Sequence, residues 1–156
     1  MLRIIKIAVV PMTLLLLVAC SGAPPKRVYP PNASIQQLTV QADGQWLLQV
    51  RIQSFSNVPH TVSELTAQLR VDGIDAARLH FSPSVAIGPL SVEVEDVQVS
   101  PSADAAAHVN AALASGRQVG YVLTGNLVSS APDKRNDTFT FDGQLWPMPG
   151  LPGVLR

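Results

Sequence analysis

The sequence predicts an all-β fold: an antiparallel β-sandwich of about seven short strands with one short helix near residues 102–115. Three observations predict it. Stretches of apolar/polar alternation recur along the chain, the period-2 pattern of half-buried strands. Turn-forming residues such as Asn57, Pro59 and the pair Asp72-Gly73 close those stretches at short intervals. Only the alanine-rich run from Ala103 to Ser115 carries both start and stop signals of a helix.

Alternation begins at Ile35. From Trp46 to Ile52, the residues Trp46, Leu48, Val50 and Ile52 share one face, and Gln49 and Arg51 share the other. Ser56-Asn57-Val58-Pro59 then turns the chain. In the next strand Leu65, Ala67, Leu69 and Val71 face inward against Thr66, Gln68 and Arg70, and Asp72-Gly73 is a hairpin-type dipeptide. A shorter strand is expected from Ala76 to Phe81. Ser91 to Ser100 changes phase, with Val92 and Val94 on one parity and Val97 and Val99 on the other. A bulge near Glu95-Asp96 would return all four valines to the core face; a strand crossing between sheets is the alternative. Ser100 before Pro101 reads as a helix cap, and Gly116 as the left-handed stop. Ala105, Val109, Ala112 and Leu113 give that helix a narrow apolar face, fit to lie on a sheet edge or across the sandwich end. Two late strands follow. Gln118 to Val128 has Val119, Tyr121, Leu123 and Leu127 in phase, and Thr138 to Leu145 has Phe139, Phe141 and Leu145. A charged loop from Ala131 to Asn136 joins them. This series reads as an immunoglobulin- or fibronectin-III-like sandwich over residues 34–145.

The ends of the chain are different in kind. Arg3 and Lys6 precede an apolar run from Ile7 to Val18, about a dozen residues and short of the roughly 20 that span a bilayer. A basic start, a short apolar stretch and a small-residue boundary mark an export signal, here residues 1–19. The boundary Leu17-Val18-Ala19-Cys20 resembles the lipobox of bacterial lipoproteins. That resemblance implies that Cys20 is acylated and becomes the mature N-terminus. Cys20 is the sole cysteine, so no disulfide framework exists, and two or more acyl chains would anchor it stably. Residues 20–33 carry Pro24, Pro25, Pro30 and Pro31 and read as a proline-rich tether that lifts the domain off the lipid. The tail, residues 146–156, is apolar and proline-punctuated. It is expected either to cover a sheet edge or to expose Trp146, Met148 and Leu151 as an interaction segment.

Little in the sequence points to catalysis. The chain has 11 basic and 11 acidic residues. Loss of Arg3 and Lys6 with the signal leaves nine against 11, a net charge near −2. No basic patch interleaved with aromatics points to nucleic acid. His60, His80 and His108 lack ligand spacing, so no metal and no cofactor is expected. His60 and His80 read as surface or edge residues, and His108 as a helix-surface partner of Asp104 four residues earlier. Glu93, Glu95 and Asp96 read as a solvated strand face. Catalytic residues: none expected, and no enzyme.

Taken together, Trp46-Leu47-Leu48-Gln49-Val50-Arg51-Ile52 running into Ser56-Asn57-Val58-Pro59, then Leu65 to Gly73, Tyr121 to Leu127 and Phe139 to Gly143 resemble the late embryogenesis abundant type 2 proteins. That group includes the water-stress and hypersensitive-response (WHy) domain. The family's Asn-Pro-Asn after the long strand is interrupted here by Val58. The resemblance implies a folded sandwich without catalytic residues, associated with water deficit and envelope stress. The expectation is a non-catalytic envelope lipoprotein, stress-protective or scaffolding, held to the membrane by its acyl chains. Ser21 after the lipidated cysteine implies the outer membrane, facing the periplasm. The alternatives are a binding or assembly module for an envelope protein partner, or a small lipid- or ligand-binding sandwich.

Overall fold

A computed structural model describes residues 25–156. Among these residues nine strands and one helix follow in order: β1 (Asn32–Val40), β2 (Trp46–Gln53), β3 (His60–Val71), β4 (Ile74–Phe81), β5 (Val85–Ile87), β6 (Val92–Val99), α1 (Ala103–Ser115), β7 (Val119–Ala131), β8 (Arg135–Leu145) and β9 (Val154–Leu155). One sheet has the order β6-β2-β1-β9. The other has β4-β3-β7-β8, with β5 pairing the start of β3 on the same edge as β4. Every pairing is antiparallel. The fold is thus the expected all-β sandwich, with two strands more than the roughly seven predicted.

The alternation explains the core. Trp46, Leu48, Val50 and Ile52 of β2 are buried, as are Leu65, Ala67, Leu69 and Val71 of β3 and Val119, Tyr121, Leu123 and Leu127 of β7. These inner faces form one buried hydrophobic cluster. Where Ile35 and Leu38 are both buried but of opposite parity, β1 carries a bulge at Gln36, between the pairs Ile35–Val50 and Gln37–Gln49. Tyr121 closes this irregularity from the opposite sheet. Its hydroxyl accepts from the Ile35 amide (3.0 Å) and donates to the Ile35 carbonyl (3.1 Å).

Five expectations are corrected. β6 has no bulge and does not change sheets: Val92 to Val99 pair in unbroken register with Gln53 to Trp46. Val97 and Val99 are buried and Val94 is exposed, so Glu93 and Glu95 share the inner parity, opposite Ile52 and Val50. At an open sheet edge their stems can lie half-buried while the carboxylates reach water, and inward charges there discourage pairing with another chain. The helix is capped by Ser102 rather than Ser100. Ser102 Oγ accepts from the Ala105 amide (3.3 Å) and donates to the Asp75 carbonyl (2.8 Å), which docks α1 on the β4 side. Gly116 ends the helix in the left-handed conformation, as expected. His108 pairs with Asp72 (2.7 Å) and not with Asp104; Asp72 also accepts from the Gly120 amide (2.8 Å). His60 is fully buried, not a surface residue.

The tail folds back onto the sandwich. Val154 and Leu155 pair with Thr39 and Leu38, making β9 the edge of the first sheet. Trp146 and Arg156 exchange backbone hydrogen bonds of 2.7 and 2.8 Å. Among the described residues no helix is long and apolar enough to cross a membrane.

Candidate functional site

Register gives the sandwich two distinct ends. At the first lie the start of β1, the end of β2, the start of β3 and the β7–β8 turn. The chain enters here. Residues 25–31, part of the expected proline-rich tether, run as a strap along the segment after β2. Asn57 clamps them: its side chain accepts from the Arg27 amide (2.7 Å) and donates to the Pro25 carbonyl (2.9 Å), and its amide donates to the Arg27 carbonyl (3.1 Å). Ser56 Oγ accepts from the Tyr29 amide (2.9 Å) and donates to the Tyr29 carbonyl (3.2 Å). Pro31 is buried.

Behind the strap is a buried polar group. His60 Nδ1 lies 3.4 Å from Ser56 Oγ. With its proton on the Tyr29 carbonyl at 3.2 Å, Ser56 Oγ can accept from the imidazole at Nδ1. Burial lowers the His60 pKa from its usual 6.5; nearby Arg135 adds to this and Asp137 opposes it. Arg135 and Asp137 form an ion pair at 2.8 Å. His60 Nε2, Ser129 Oγ and Asp137 Oδ2 are buried without a protein hydrogen-bond partner. A serine, a histidine and an aspartate in one region invite comparison with a hydrolase. Here, however, the serine proton is committed to a backbone carbonyl, and Ser56 and His60 are both fully buried. This pair therefore presents no solvent-facing nucleophile.

On the outside of the same end, Pro25, Arg27, Tyr29, Phe55, Asn57 and Leu90 line a shallow groove of about 390 Å³. Tyr29, Phe55 and Leu90 are 50%, 43% and 72% exposed. Leu90 has φ +52, a left-handed backbone that costs a non-glycine residue roughly 1–2 kcal/mol. Its amide is pinned to the Ser56 carbonyl at 2.9 Å. These three residues were not legible as a site. Phe55 and Leu90 stand beside turn residues, outside any alternating run, and only that isolation hints at an apolar side chain with no core to enter.

The opposite end carries α1, the Asp72-Gly73 turn and the tail. Trp146 and Leu151 are 55% and 54% exposed, and Met148 is half-buried. Met148 and Leu151 share a groove of about 450 Å³ with Leu113, Ala114 and the tail's prolines and glycines. Cys20, Leu17, Val18 and Ala19 lie outside the described residues. Among the described residues no three His, Cys, Asp or Glu side chains gather as metal ligands.

No protein-family model and no curated protein matches the chain. Solved structures do. A protein from Arabidopsis thaliana, determined in solution, is similar at 11% identity with a TM-score of 0.50, covering 81% of this chain and 84% of its own. A solution structure named as a late embryogenesis abundant (LEA) protein is similar at 15% identity and TM-score 0.50, covering 80% of this chain and 72% of its own. At such identities the likeness is one of fold: this chain has an LEA-like sandwich.

Proposed function

We propose that this chain is a lipid-anchored envelope protein whose LEA-like sandwich works without catalysis, as a scaffolding or stress-protective domain at the membrane surface. One observation carries it: the lipobox ends at Cys20, only five residues before Pro25, where the strap is already clamped to the sandwich by Asn57. An acylated Cys20 would therefore hold the folded domain itself at the bilayer rather than on a long leash. Ser21 after the cysteine favours the outer membrane, facing the periplasm. The LEA name of one structural neighbour supports a stress role, and the buried, internally committed Ser56 and His60 support a non-catalytic one. A specific observation also favours a second reading, a binding module for an envelope protein: Trp146 and Leu151 stand exposed at the end far from the strap.

The test is mass spectrometry of the mature N-terminus from separated inner and outer membrane fractions, together with survival of a deletion strain under desiccation, osmotic shock and detergent. Acyl chains on Cys20 in the outer membrane fraction, with reduced survival of the deletion strain, are the expected result. A soluble chain starting elsewhere would overturn the anchoring, and unchanged survival the protective role.

A further inference from the structure

We propose, resting on the lipoprotein reading above, that the strap end of the sandwich is a lipid-contact surface. Tyr29, Phe55 and Leu90 would enter the headgroup region of an anionic bilayer, with Lys26 and Arg27 meeting its charge.

Covalent reach comes first. Cys20 and Pro25 are five residues apart, which a fully extended chain spans in at most about 18 Å. The polar layer of one leaflet is itself roughly 5–8 Å thick. With the cysteine's acyl chains in the hydrocarbon, the strap end is the part of the domain nearest the bilayer. Composition comes second. An aromatic phenol, a phenyl ring and a leucine are all exposed in one groove, the mix that settles at a membrane interface. Leu90 stays exposed in a strained left-handed backbone while its amide donates to the Ser56 carbonyl.

Polar satisfaction is the third observation. The Pro25 carbonyl, both backbone groups of Arg27 and both of Tyr29 are hydrogen-bonded to Asn57 or Ser56. This face can therefore approach a poorly hydrated layer without stranding those groups. Lys26 and Arg27, both exposed, sit on the strap itself. Asp133 and Lys134 in the β7–β8 turn at the same end offset each other in charge. Basic residues beside an apolar surface attract phosphatidylglycerol-type headgroups. The occupant is thus a lipid surface and not a second protein: the tether brings the one close whether or not the other is present.

The lone cysteine makes the experiment direct. In the acylated protein Leu90→Cys or Leu151→Cys supplies the single free thiol for an environment-sensitive fluorophore, and Phe55→Cys gives a second reporter at the strap end. The mature lipidated protein, its acyl mass confirmed, is reconstituted into vesicles of phosphatidylethanolamine and phosphatidylglycerol containing brominated lipid. The expected result is blue-shifted, quenched emission at 90 and 55 and unshifted, unquenched emission at 151, with the difference diminished by Lys26→Glu plus Arg27→Glu. Acyl chains present but equal emission at 90, 55 and 151 would overturn the proposal and leave the lipoprotein reading standing. Protection at 90 in native membranes but not in protein-free vesicles would also overturn it, in favour of a protein occupant. A mass without acyl chains would overturn the lipoprotein reading and this proposal with it.

Discussion

At the scale of the residue, His60 is where burial and charge meet. It shares parity with Val62 on the inner face of β3, and a bulge near Ser63 separates both from Leu65. That break hides it: after Pro59, with its phase interrupted, His60 looks like one more turn residue. Its pKa is lowered in the fold by burial first and by Arg135 second. A lowered pKa means the fold prefers the neutral ring. The stabilisation is therefore fully present above the unfolded-state value near 6.5 and is lost as pH falls from there through the folded-state pKa. The urea midpoint is expected to fall between pH 7.5 and pH 5, and His60→Asn to flatten that slope whatever it does to absolute stability. An equally steep slope in the variant would assign the pH dependence to other groups. Tyr121, by contrast, was legible as an inward residue but not as a tie between sheets. Alternation sets which way a side chain points, whereas the Ile35 backbone it bonds lies 86 positions away and is freed by a bulge.

Elements were legible wherever a local rule decided them. β2, β3, β7 and β8 follow from alternation, and the Asp72-Gly73 turn and the Gly116 stop follow from backbone preference: Gly73 and Gly116 both adopt positive φ. β6 was misread because valines were assumed to seek the core. At an edge that assumption fails, and pairing with β2 fixes the register even though it leaves Val94 outside. The helix start was misread for a similar reason. Ser100-Pro101 is the better local signal, but Ser102 is bonded to β4 through both its amide and its hydroxyl, and tertiary contact chose the cap. Two substitutions separate these accounts. Ser102→Ala removes a cap bond and a bond to Asp75, and is expected to lower unfolding free energy by about 1 kcal/mol, up to about 2. Ser100→Ala loses an exposed contact to Gln45 at 2.8 Å and should stay within about 0.5 kcal/mol of the parent. Urea titrations of the two variants check this, and a reversed order would return the cap to Ser100.

At the scale of the whole molecule, the sandwich is polarised along its strands, with the strap clamped at one end and the folded-back tail at the other. The tail has two jobs that a simple deletion would confuse. Residues Val154–Leu155 complete the first sheet against Leu38 and Thr39, and Trp146 is tied to Arg156. Removing residues 146–156 therefore opens the β1 edge, which is expected to lower the thermal midpoint and to produce association on size-exclusion chromatography. Trp146→Ser combined with Leu151→Ser touches only side chains more than half exposed. The backbone pairing survives, and each change is expected to cost within about 0.5 kcal/mol. If Trp146 and Leu151 bind an envelope protein, the double substitution will abolish a crosslink formed in intact cells while the purified protein melts as the parent does. If it destabilises as much as the deletion, those side chains are structural and the partner reading falls. The folded tail thus turns an ambiguous truncation into a separable pair of measurements.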